Sequence, residues 1–136
     1  MTSPQALPAE YRRFVHEFND GWYWASHETL EEVWRRTRSD FYHGLILLAS
    51  VFVHVQRENP HGVAAQLDKA ITALSSYRPR YLGMDVTQLI QHLHQVQSTV
   101  RQESTRSEGG VRKITAPVLE LERHLIRGTE PELDAE

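Results

Sequence analysis

From Phe41 to about Glu58 the chain is apolar on nearly every side of a helix, and its longest apolar stretch, Leu45 to Val55, is broken only by Ser50 and His54. A helix without a polar face has to be surrounded, either by other helices or by lipid. This stretch falls well short of the ~20 residues that span a bilayer. The segment therefore reads as the central helix of a bundle rather than as a membrane span.

The flanking segments supply helices to surround it, because apolar residues recur at helical spacing almost throughout and no alternating run is long enough to argue for a strand. Tyr11, Phe14, Val15 and Phe18 form one face of a helix from Pro8 to Phe18, ended by Asn19-Asp20-Gly21. A second helix runs from about Gly21 to Arg36, and after the connection Thr37–Ser39, Asp40 serves as N-cap of the central helix. Asn59 as cap with Pro60 at the first helical position starts a fourth helix, which ends near Ser76. Tyr77 to Gly83 reads as a loop, and Asp85 with Gln88 makes a capping box for a fifth helix whose face is Val86, Leu89, Leu93, Val96 and Val100. Glu103 to Lys113, with Gly109-Gly110, is polar; a last short helix is expected over Pro117 to Arg127, stopped by Gly128. The fold class is all-α, a compact single-domain bundle of about five helices plus a short C-terminal helix. Residues 1–7 are a polar leader, 8–102 the helical domain, 103–115 a flexible linker and 116–136 the short helix with an acidic tail.

Composition narrows the chemistry. The 136 residues contain no cysteine, which excludes disulfides, thiolate metal sites, iron–sulfur clusters and cysteine nucleophiles, and agrees with a reducing compartment. The N-terminus has neither the basic start nor the apolar run of a secretory signal, so a cytoplasmic location is expected. A formal net charge of -3 offers no electrostatic footprint for nucleic acid. Arg12-Arg13 and Arg35-Arg36 with Arg38 read as a salt-bridged face, interrupted by Glu31, Glu32 and Asp40. No phosphate-binding glycine loop or nucleophile elbow is present.

One constellation stands apart. Projected at about 100° per residue, His27 and Glu31 share a side of the second helix with Tyr23, Trp24, Leu30 and Trp34, whereas Glu28 lies on the flank. That projection places Glu31 inward, where a carboxylate among tryptophans needs a partner, a proton or a cation. On the central helix, His43, Ser50, His54 and Arg57 form a polar stripe, but His43 and His54 are about 16 Å apart along the axis, too far to share an ion. If the second and third helices are antiparallel, levels pair as residue numbers summing to the high seventies, with His54 one turn beyond the level of His27. His27, Glu31 and His54 then form a two-imidazole, one-carboxylate set suited to a divalent ion such as zinc, iron(II) or manganese. His27-Glu28 begins like the zinc-protease helix, yet Glu31 stands where that motif needs a second histidine. His92 and His94, two residues apart, diverge by about 200° and read as surface residues.

The strings Phe18-Asn19-Asp20-Gly21-Trp22-Tyr23-Trp24, His27-Glu28-x-Leu30-Glu31-x-x-Trp34, Phe41-Tyr42-His43-Gly44-Leu45-Ile46 with Ala49 and His54, and Asn59-Pro60-His61-Gly62-Val63-Ala64 strongly resemble the domain of unknown function 309 family. The likeness runs from about Phe14 to Leu93. It implies a small all-helical bundle and, from the label its members often carry, a metal-dependent hydrolase. The positions matching the family's polar pattern are Asn19, His27, Glu28, Glu31 and His54; many members have Gln where this chain has Leu47.

Two functions are therefore expected to compete. In one, His27, Glu31 and His54 hold a divalent metal, Glu28 or Glu31 handles the proton of the bound water, and Asn19 orients the site or a small-molecule substrate. In the other, the protein is a non-catalytic interaction or structural protein, with a homodimer as candidate assembly: His27–Glu31 is a buried polar pair, and exposed aromatics such as Trp22 supply the contact surface.

Overall fold

The structure is a computed structural model that describes residues 7–103, 114–122, 128 and 130. Five helices carry the described chain: α1 (Ala9–Asn19), α2 (Tyr23–Thr37), α3 (Asp40–Gln56), α4 (Pro60–Ser75) and α5 (Val86–Glu103). A two-stranded hairpin, β1 (Arg80–Tyr81) and β2 (Met84–Asp85), sits between α4 and α5. The fold is all-α in character, and no described helix is long and apolar enough to cross a membrane.

The central helix behaves as its composition requires. α3 packs between α2 and α4, and Phe41, Tyr42, Leu45, Leu48, Ala49, Val51 and Phe52 are buried on it. α1 closes on α2 through Tyr11, Phe14, Val15 and Phe18, and α5 closes on α4 through Val86, Leu89, Leu93, Val96 and Val100. Phe18, Tyr23 and Phe52 tie α1, α2 and α3 together, with ring centroids 5.0 to 5.6 Å apart.

The helix ends are set locally. α2 stops when Arg38 enters the left-handed region at φ 55° and its N–H returns to the Trp34 carbonyl, a left-handed C-cap. Ser39, not the expected Asp40, caps α3, its Oγ accepting the Tyr42 N–H at 3.1 Å. The left-handed turn at Arg38 brings the serine to the capping position one residue early. Asn59 caps α4 and Asp85 accepts the Gln88 N–H at the start of α5, both as expected. α2 and α3 are antiparallel in the expected register: Gln56 donates to the Gly21 carbonyl at 2.9 Å, and Trp34 stacks on His43.

Two expectations are corrected beyond α4. The Tyr77–Gly83 loop contains the first strand of the hairpin, whose turn places Leu82 at φ 48° and Gly83 at φ 78°, the signature of a tight primed turn. The expected helix from Pro117 to Arg127 does not form over its described part, 117–122, which has no regular secondary structure. That segment's backbone is committed elsewhere. The Asn19 side chain donates to the Leu119 carbonyl and accepts its N–H, each at 2.8 Å, and the Glu122 N–H reaches the Gly83 carbonyl. Ile114–Glu122 is thus a strap across the bundle, held also by a 2.7 Å contact between His92 Nε2 and the Thr115 carbonyl. Most of the expected linker, 103–115, and most of the tail lie outside the described residues.

Candidate functional site

Helix α2 turns a different face inward from the one the projection suggested. Ser26, Leu30 and Val33 are its buried residues, so the inward direction lies between Ser26 and Leu30 and leaves His27 and Glu31 on the flank, about 90° and 130° away. Trp24, counted as inward by its chemistry, is 53% exposed. Ser26 occupies the close approach instead, its hydroxyl satisfied by the Tyr23 carbonyl at 2.7 Å.

The consequence is a half-exposed polar cluster rather than a buried pair. His27 Nδ1 lies 3.4 Å from Glu28 Oε1 and 3.4 Å from Glu31 Oε2, with side-chain exposures of 18%, 56% and 30% for the three residues. One ligand atom from each of these residues lies within 4.8 Å of the others. Two neighbours brace the set. The Trp24 ring stacks on the His27 imidazole at 5.2 Å with the planes 7° apart, and Arg35 binds Glu31 Oε1 at 2.7 Å, leaving Oε2 turned toward His27. Arg57 in turn lies over the Trp24 ring, 5.6 Å from its centroid.

The other nominated residues go elsewhere. His54 does not join the cluster: its Nδ1 accepts from Asn59 Nδ2 at 3.2 Å, an orientation fixed because Asn59 Oδ1 already caps α4. Gly62 packs on this imidazole so closely that a Cβ there would come within 2.5 Å of His54 Nδ1. The antiparallel register explains the separation, since it sets His54 beside the beginning of α2, past the level of His27. Asn19 does not orient a site on α2, because both its polar atoms hold Leu119. His43 stacks on Trp34, and His92 holds the strap. The expected salt-bridged face is present: Arg13 meets Glu17 within α1, Arg35 meets Glu31 within α2, and Arg36 meets Glu10 across the gap between the two helices.

That gap is a cleft of about 410 Å³ lined by Glu10, Arg13, Glu17, Glu28, Thr29, Glu32 and Arg36. Glu28 belongs both to this cleft and to the His27 cluster. A second cavity, about 450 Å³, lies between the strap and the start of α5 and touches none of the nominated residues.

Residues 11–66 match the model of the family described as Domain of unknown function (DUF309). The match spans α1 to the first half of α4, so it contains His27, Glu28, Glu31 and His54, and it stops short of the Leu93 limit expected from the motifs. Compared with curated proteins and with solved structures, the chain finds no match.

Proposed function

Taking residues 11–66 as a domain of the DUF309 family, we propose that this protein binds a divalent metal through His27, Glu28 and Glu31 and uses it to hydrolyse a small-molecule substrate in the cytoplasm. The observation that carries the reading is the spacing of the donors. Ligand atoms about 2.0–2.2 Å from one tetrahedral ion stand roughly 3.3–3.6 Å apart, and His27 Nδ1 lies 3.4 Å from an oxygen of each carboxylate. One imidazole and two carboxylates suit zinc, iron(II) or manganese.

A bound divalent ion would supply Lewis-acid chemistry, polarising a substrate oxygen and lowering the pKa of water. The chain's own residues do the rest. Trp24 keeps the His27 ring in plane, and Arg35 fixes the Glu31 carboxylate, as outer partners do for metal ligands. Glu28, the most exposed of the three, borders the α1–α2 cleft, and its oxygen not held by the ion would take a proton there. The cleft walls carry four carboxylates, Glu10, Glu17, Glu28 and Glu32, against Arg13 and Arg36, a balance that favours a neutral or cationic substrate over an anion.

Elemental analysis tests this reading directly. Tag-free protein purified without chelator is expected to carry near-stoichiometric metal, and a His27→Ala/Glu31→Ala variant that still folds is expected to carry none. Metal-free protein that also fails to take up zinc or manganese in a calorimetric titration would overturn it.

A second reading, a non-catalytic interaction protein that forms a homodimer, is favoured by Trp22 and Trp24, 67% and 53% exposed at the start of α2. Light scattering distinguishes it: a dimer that Trp22→Ala dissociates, in protein without metal, would favour this reading over the first.

A further inference from the structure

Glu130, near the C-terminal end of the chain, is only 3% exposed. Its carboxylate accepts from Ser39 Oγ at 2.8 Å and from Tyr81 Oη at 3.0 Å and 2.7 Å. Ser39 is the N-cap of the 17-residue helix α3, and its Oγ already accepts the Tyr42 N–H, so the hydroxyl proton is the part left to point at Glu130. Gly128 lets the backbone pass against the ring: a Cβ there would come 2.8 Å from Tyr81 Cζ and 2.9 Å from Glu130 Oε2. The carboxylate thus arrives from a segment 91 residues away in sequence and meets donors already converged on one point.

A buried carboxylate is costly unless its oxygens are satisfied, and here two hydroxyls and the positive end of α3 satisfy them. None of these partners depends on the ligand belonging to the same chain. The surroundings also define what would fit. Phe41 and Tyr77 pack on Tyr81, each with ring centroids 4.6 Å from it, so the walls are aromatic. The donors are neutral hydroxyls, and Tyr77 beside them has its pKa raised by burial first and then by the nearby carboxylates of Asp40 and Glu130. Such a slot favours a monoanion on a short aliphatic stem over a phosphate or a dicarboxylate. We propose that Ser39 and Tyr81 form a carboxylate-binding slot at the N-terminus of α3, occupied by the chain's own Glu130 and able to take a small free monocarboxylate in its place.

Because a tethered ligand has a high effective concentration, the free ligand is best tested where the tether has lost its carboxylate. Glu130→Ala is expected to lower Tm by roughly 5 °C or more. Sodium propionate at tens of millimolar should restore most of that loss, saturably and beyond the effect of equal sodium chloride. The wild type should not respond in this range, and Tyr81→Phe/Glu130→Ala and Ser39→Ala/Glu130→Ala should respond at least tenfold more weakly. A Glu130→Ala protein that melts like the wild type, or a propionate effect no larger than that of chloride, or one undiminished by loss of either hydroxyl, would overturn the proposal. If Glu130→Ala does not fold, Ser39→Ala in the full chain decides the matter by limited trypsin digestion after Arg127. Cleavage several-fold faster than in the wild type supports the slot, and an unchanged rate overturns it.

Discussion

Glu31 and Glu130 are both carboxylates with tryptophan or tyrosine close by in sequence or space, and the fold treats them in opposite ways. Glu31 sits on the flank of α2, shared between His27 and the charged Arg35, and water reaches it. Glu130 is enclosed, and among the described residues its hydrogen-bond donors are the neutral hydroxyls of Ser39 and Tyr81. Exposed ion pairs add little to stability because water competes for both partners. An enclosed carboxylate couples to the fold strongly, since removing one side leaves the other unsatisfied. The first cluster is therefore free to bind something without disturbing the bundle, whereas the second can exchange its ligand only if part of the chain moves.

The sharpest test of that contrast lies under the buried slot. Phe41→Ala, which removes a fully buried ring packed on Tyr77 and Tyr81, is expected to cost about 3–5 kcal/mol in urea denaturation; a surface-like loss would mean the slot has no packed floor. Glu130→Ala comes next at about 1.5–3 kcal/mol, against a change within about 0.5 kcal/mol for Glu31→Ala, and equal effects would erase the distinction. Asn19→Ala removes two hydrogen bonds to the strap and is expected to cost roughly 1–2 kcal/mol, with hydrogen-exchange protection of the Leu119 amide lost.

Tyr11 gives a pH-dependent test of the same enclosed region. Burial first, then Tyr42, Glu130 and Tyr81, push its pKa well above the ordinary 10.0, and its hydroxyl donates to the Leu82 carbonyl. The neutral phenol is the form the fold favours, so its contribution is fully present below pH 10 and is lost as pH rises through the folded pKa. Alkaline titration of stability should therefore fall above that point, and Tyr11→Phe should flatten the fall at a cost of about 1 kcal/mol at neutral pH. The smallest stability effect belongs to His27→Ala, expected within about 0.5 kcal/mol; if the proposed metal site is real, elemental analysis of this variant should find no bound metal.

What could be read from the chain alone was local. Asn59-Pro60 and Asp85 with Gln88 mark helix starts because the capping atoms lie within three residues of the amides they satisfy. The stripes on α1, α4 and α5 mark buried faces because helical geometry fixes which residues lie together. Even the α2–α3 register followed from a short connection. The inward face of α2 did not follow, because apolar character ranked Trp24 above Ser26, and packing favoured the residue small enough for close contact.

Helical patterning along the chain was enough to show the all-α class, the central place of α3 and the presence of His27, Glu28 and Glu31 within two turns of one helix. Packing across the bundle turned His54 to Asn59, set Asn19 to hold a strap 100 residues away, and buried an acidic tail residue against Ser39 and Tyr81. Helical periodicity and capping act over a few residues and leave a pattern in the chain. Contacts closed across the bundle depend on which surfaces meet, and residue spacing carries no record of that.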